Sequence, residues 1–214
     1  MNNNLCAVWH SASTENTRAV IVPDGCRDLI VKSLDPDEGP QWFVSPLFEC
    51  AEAINVEKGA LYTGFRFKPG VRISESSILS VLKDKAPDQE DVYNLIEDFT
   101  HLSSSTDEAL SCLSANAASV KQAASQLGVG MRTLQRLVLK ETAKSPSYWF
   151  QLARVRKAAR ALTQSKPFIE VADTYGFSDQ SHMNREIRRW FKLSPSELAA
   201  SSSIAAQLDD PGYA

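Results

Sequence analysis

The sequence is poor in the residues that build most metal and nucleophile sites, with three histidines and four cysteines in 214 residues. Cys6, Cys26, Cys50 and Cys112 lie far apart with no C-x-x-C pair, so they fit neither a zinc site nor a disulfide framework, and free thiols are expected. No apolar run approaches the roughly 20 residues that a membrane-spanning helix needs. The polar start, Met1 to Asn4, lacks the basic and apolar regions of a signal peptide, so a cytoplasmic chain with no membrane partner is expected. His10 and His101 are isolated. Ser181 and His182 are adjacent, but neighbours on a helix point about 100° apart and no acid is placed to orient the imidazole. An enzyme is therefore not expected, and no catalytic residue, metal or cofactor is assigned.

Charge of one sign is scarce in each half. Between 115 and 200 there are 14 Lys and Arg against 6 Asp and Glu, and elsewhere 9 against 20, so the net charge of −3 conceals a basic segment of +8 joined to an acidic remainder of −11. That division suits a polyanion-binding region fused to a separate regulatory one.

The basic segment contains a repeat. Val120, Ala123, Ala124 and Leu127 form one apolar helical stripe, and Gly128 follows where a left-handed C-terminal residue is wanted. A second helix then puts Leu134, Leu137 and Val138 on one face and Arg132, Gln135, Arg136 and Lys140 on the other. The pattern recurs with Phe168, Val171, Ala172 and Tyr175 as the stripe, Gly176 as the stop and Ser178 or Asp179 as the cap of the next helix. There Met183, Ile187 and Trp190 recur at helical spacing, while Gln180, Ser181, Asn184, Arg185 and Arg188 face away from them. The offset is 48 residues before the turn and 49 after it, so one residue is inserted in the second turn. Ordinary helical hairpins explain the buried stripes. They do not explain two solvent faces that both pair Arg, suited to guanine, with Gln or Asn, suited to adenine.

The run Gly176 to Glu186, with Arg188 to Phe191 and Ser194-Pro195, resembles the signature of the AraC/XylS family of bacterial transcription regulators, and the first copy matches more loosely. The resemblance spans Ser119 to about Ala200. It implies two helix-turn-helix subdomains joined by one long helix, with recognition helices entering adjacent major grooves about 34 Å apart. By position it makes Arg132, Gln135 and Arg136 the contacts of the first helix and Gln180, Ser181, His182, Asn184, Arg185 and Arg188 those of the second. Gly130 stands where the family commonly has a capping Ser, and Ala143 and Lys192 stand where it commonly has Gly. Either the latter two adopt a left-handed conformation or the turns differ.

Between the copies, Ser145 and Pro146 open a helix to about Leu162, with Tyr148, Leu152, Val155, Ala159 and Leu162 as its apolar seam. Arg154, Arg156, Lys157 and Arg160 lie mostly outside that seam, either as a solvated face or as phosphate contacts, for which Lys157 and Arg160 are the candidates.

Towards the amino terminus, from Ala7 to about Val71, the pattern is strand-like: Ala19–Val22, Asp28–Val31, Gln41–Val44 and Leu61–Phe67. Pro23 to Ile30 and Phe65 to Gly70 are similar to stretches of the β-rich sensor regions of some AraC-type regulators, and the short length predicts a small or reduced barrel. Ser74–Lys85, Asp88–Leu102 and Asp107 to about Asn116 read as helices. The stripe Val92, Leu95, Ile96 and Phe99 is either core or a surface for self-association.

The expected fold class is α+β, a small β-rich sensor-like domain plus an all-α domain of two helix-turn-helix subdomains joined by a long helix. The expected boundaries are 1–106, 107–206 and a tail at 207–214. The resemblance implies a sequence-specific transcription regulator whose partner is double-stranded DNA. RNA polymerase, an unidentified small-molecule effector and a second copy of the chain are candidate partners. A thiol-based redox sensor and a DNA alkyl-repair protein remain as alternatives. The second of these lacks a cysteine beside histidine or in metal-ligand spacing.

Overall fold

The computed structural model describes residues 3–34, 39–83, 85–115 and 117–214. The amino-terminal part runs β1 (Leu5–Ala12), β2 (Thr17–Ile21), β3 (Asp28–Ser33), β4 (Gln41–Val44), β5 (Glu52–Val56), β6 (Leu61–Phe67) and β7 (Arg72–Ile73), then α1 (Glu75–Leu82), α2 (Gln89–Phe99) and β8 (Thr100–His101). An antiparallel sheet has the order β1-β6-β3-β4, while β2 pairs with β5 and β7 with β8. The described strands thus form three separate sheets where a reduced barrel was expected.

Alternation along β6 organises the main sheet. Phe65 and Phe67 point to one face with Leu29 of β3, where Ile78 and Leu82 of α1 and Val92 and Ile96 of α2 cover them. Leu95 and Phe99 pack against the same cluster, so the stripe considered for self-association is spent on the core. On the opposite face Trp9 lies over Gly64, where an added Cβ would come within 2.1 Å of its ring. Trp9 Nε1 donates to Asp28 Oδ1 at 2.9 Å, and Arg66 Nε donates to the same oxygen at 3.1 Å.

The helical part comprises α3 (Ser104–Ser114), α4 (Val120–Gln126), α5 (Met131–Thr142), α6 (Pro146–Thr163), α7 (Phe168–Thr174), α8 (Gln180–Phe191), α9 (Pro195–Ala199) and α10 (Ser202–Asp209). Leu152, Val155, Ala159 and Leu162 of α6 are buried as the seam requires, and Ala123, Ala124, Leu134 and Val138 from one side and Val171, Ala172, Met183 and Ile187 from the other complete the core. Ser119 accepts from Gln122 N and Ser145 from Tyr148 N, caps worth about 1 kcal/mol each. Among the described residues no helix is long and apolar enough to cross a membrane.

Several boundaries differ from expectation. The helix α3 starts at Ser104 rather than Asp107 because Ser103 caps it, accepting from Thr106 N, and the expected end at Asn116 lies outside the described residues. The helix α1 ends at Leu82, and Asp84, within the span expected for it, also lies outside them. After Phe99 the chain turns extended and Thr100–His101 pairs with β7.

Candidate nucleic-acid interface

The two turns are built alike. Gly128 and Gly176 have φ of 67° and 69°, and just past them Val129 N donates to Ala124 O at 3.0 Å and Phe177 N to Ala172 O at 2.9 Å. These bonds satisfy the orphan carbonyls at the ends of α4 and α7, as a left-handed C-cap does. The starts of the next helices differ. The helix α5 begins at Gly130, which has no side chain to accept a bond, whereas Asp179 Oδ1 accepts from His182 N at 2.6 Å at the head of α8. That bond, followed by the nearby Arg185 charge, holds the Asp179 carboxyl below its ordinary value. Ala143 and Lys192 end the two recognition helices at φ 56° and 59°. Both take the left-handed conformation, at roughly 1 kcal/mol each relative to Gly.

The recognition helices turn their polar faces to solvent. Arg132, Gln135 and Arg136 on α5 and Gln180, Ser181, Arg185 and Arg188 on α8 are all exposed. His182 is half-buried and belongs to the turn: its Nδ1 accepts from Ser178 N at 3.2 Å and its ring stands edge-on to Phe177. Asn184 is also half-buried, and its Oδ1 is buried with no partner among the described residues.

Residues 123–201 match a helix-turn-helix domain family, and that span begins inside α4 and closes just after α9. Residues 123–201 form a helix-turn-helix domain of the AraC/XylS type. The chain is 32% identical over 90 residues to the HTH-type transcriptional regulator VirS of Mycobacterium tuberculosis, covering 42% of this chain and 26% of that protein. It is 33% identical over 76 residues to the HTH-type transcriptional activator RhaS of Pectobacterium atrosepticum, covering 35% and 27%. A solved transcriptional regulator with an AraC-type DNA-binding domain from Chromobacterium violaceum is 30% identical, covering 50% of this chain and 94% of that one, with a TM-score of 0.41. The chain thus spans about a quarter of the length of the curated relatives it matches.

Within this AraC/XylS domain the cations of α6 do not form a solvated face. Arg156 is 0% exposed and donates from Nη1 to Pro23 O at 3.0 Å. Arg154 donates to Gly176 O at 3.3 Å and lies 4.7 Å over the Phe177 ring, bracing the second turn from behind. Lys157, a phosphate candidate, donates to Ser114 O and Ala115 O at the end of α3, and burial pulls its ammonium below the ordinary lysine value. Arg160, the other, donates from Nε to Leu208 O at 3.2 Å and lies 3.7 Å from Asp209. The physical reason is position: α6 is packed by α3, α7, α9 and α10 as well as by both recognition helices, so its long cationic stems end on carbonyls of neighbouring elements.

The fold also joins segments that linear spacing keeps apart. Cys6 Sγ donates to Arg66 O and Phe67 O of β6 at 3.6 Å, and Phe67 N donates to Arg27 O at 2.9 Å next to Cys26, with all four cysteines free. Pairing of β1 and β3 on either side of β6 brings those segments together.

Proposed function

We propose that this protein is a sequence-specific transcription regulator that places α5 and α8 in adjacent major grooves of one DNA face. The observation that carries this reading is the doubled unit itself, two turns of the same hydrogen-bond pattern, each followed by a helix whose exposed face is rich in Arg and amide side chains. Arg132, Gln135 and Arg136 meet the first groove, and Gln180, Ser181, Asn184, Arg185 and Arg188 the second. Arg reads guanine O6 and N7, and Gln or Asn reads adenine N6 and N7. The Asn184 amide oxygen is buried without a partner among the described residues, so Asn184 meets the groove by turning that amide outward. His182 supports the α8 turn. Lys157 and Arg160 hold the domain together, and the phosphate contacts come from the exposed cations of the recognition helices. The β-rich half responds to an effector or partner and passes that state to α6 through the contacts between the halves.

Selection from a genomic fragment library, followed by gel shift, tests the reading. A bound site of about 15 to 20 base pairs is expected, covering two groove segments one helical turn apart. Affinity should fall steeply as salt rises, with a slope of about −0.9 per neutralised phosphate. Binding of equal strength to unrelated sequences would sink the proposal.

A further inference from the structure

The two reading heads share a fold but not a chemistry. With the offset of 49 residues that holds after the turn, Arg136 corresponds to Arg185, Gln135 to Asn184, and Met131 at the start of α5 to Gln180 at the start of α8. With the offset of 48 that holds before it, Val129 corresponds to Phe177. Phe177 is 7% exposed, with the Arg154 guanidinium over its ring and His182 edge-on to it. Val129 is 38% exposed and Met131 37%, and Thr133 stands where His182 does in the second copy. Between Val129 and Met131, Gly130 has no side chain, and nothing lies within 4 Å of a Cβ added there. The second head is thus polar at its tip, with Ser178, Asp179 and Gln180 exposed, while the first is apolar.

Placement gives this apolar tip a meaning that a scattered exposed side chain lacks. In a helix-turn-helix unit the residues at the amino-terminal end of the second helix are the ones that approach base edges. The major-groove edges of guanine, adenine and cytosine present donors and acceptors, which a thioether or an isopropyl group would strip of water without pairing. Thymine alone adds an apolar group there, its C5 methyl. Methionine is unbranched and polarizable, so it adapts to a projection of that size. An apolar residue in the place that Gln180 holds in the other copy therefore has one complementary base.

Resting on the reading that α5 and α8 enter adjacent major grooves, we propose that Met131, with Val129 two residues before it, selects thymine in the first groove through the C5 methyl group. Gln180, at the matching place on α8, selects by hydrogen bonding in the second. The DNA site is then chemically asymmetric although the domain that reads it is a repeat, and the chain docks on it in one direction.

Deoxyuridine, which is thymidine without the C5 methyl, tests this on the full chain and the site selected for it. Each thymidine of that site is replaced singly, and affinity is measured by gel-shift competition. At one or two positions the replacement should weaken wild-type binding by about three- to tenfold and leave Met131→Ala unaffected. At those positions 5-methylcytosine should bind better than cytosine. They should lie about 10 base pairs from the positions where Arg185→Ala relaxes the preference, one helical turn away. Met131→Gln should move the preferred base there from thymine towards adenine. Because the Met131 and Val129 side chains are exposed, the variants should keep the wild-type melting temperature. Deoxyuridine tolerated by the wild-type chain at every position would overturn the proposal, and so would a methyl effect that persists undiminished in both Met131→Ala and Val129→Ala. Sequence-specific binding without any methyl effect leaves the DNA reading standing and removes this inference, whereas a chain with no preferred sequence fails both.

Discussion

Gly130 and Gly64 show how differently one residue type acts at two places. At Gly130 the backbone is extended and nothing lies within 4 Å of an added Cβ, so the side chain is simply missing from a capping position. Gly130→Ser is expected to stabilise the domain by a few tenths of a kcal/mol, read as a rise in the urea midpoint at unchanged slope. At Gly64 the space is filled by the Trp9 ring, which in turn holds Asp28. Gly64→Ala is expected to cost about 1 to 3 kcal/mol through forced displacement of that ring, measured by the same unfolding curves. The capping Ser that the family resemblance leads one to expect is absent at 130, and the residue there is legible as a fault in the sequence. The demand for glycine at 64 is not, because it comes from a tryptophan 55 residues earlier that only strand pairing brings opposite.

At the scale of the element, the recognition helices and the helix between them divide the cations by use. Arg185 is exposed on α8, whereas Lys157 is tied to the end of α3. Competition binding should therefore show Arg185→Ala relaxing base preference at one or two positions by about 1 to 3 kcal/mol, with fold stability nearly unchanged. Lys157→Ala should leave the salt slope of DNA binding as it was and instead lower the melting temperature, because two carbonyls at the end of α3 lose their donor. An unaltered melting temperature with a reduced salt slope would restore Lys157 to the phosphate contacts. The caps of α8 and α9 carry a pH dependence. Asp179 is held below its ordinary value by the His182 N–H, and Glu197 by the Ser194 hydroxyl and N–H. Both are depressed in the folded state, so their contribution is present above the ordinary carboxylate values of 3.8 and 4.5 and is lost as pH falls through the lower folded values. Helical circular dichroism should decline over that acid window, and Asp179→Asn, which still caps without titrating, should show a smaller decline.

On the scale of the whole molecule, the β-rich and helical halves are joined over a broad front. Ala51 N donates to Trp190 O at 2.7 Å at the end of α8, Lys144 pairs with Glu49 at 2.6 Å, and Arg72 with Glu141 at 3.5 Å. Both recognition helices thereby touch the amino-terminal part near their carboxy-terminal ends. Tyr213 anchors the opposite side, 4% exposed, with its N donating to Asp24 O at 2.8 Å, its Cβ against Gly25, its hydroxyl donating to Leu110 O at 2.8 Å and its ring against Trp149. Tyr213→Ala is expected to cost about 3 to 5 kcal/mol and to separate a single urea transition into two, one for each half. A single transition with an unshifted midpoint would show that the halves are joined without it.

Within the helical half, helix order, caps and the exposed polar faces were legible in the sequence, because each depends on residues within a few positions of one another: a 3.6-residue stripe, a Gly that ends it, a Ser or Asp that starts the next helix. The strands β1 and β5 were not picked out, since β1 is half-buried along most of its length and β5 is largely exposed, and neither shows the alternation that marks a strand with one buried face. Periodicity likewise placed Arg156 beside solvent, and the tertiary structure buried it, because what covers that side of α6 is a loop more than a hundred residues earlier in the chain. The sequence by itself determined the doubled helix-turn-helix and its AraC/XylS type, through local hydrogen bonding and spacing. Only the tertiary structure decided which cations remain free and how the two halves are joined, because those contacts are made between segments distant in sequence.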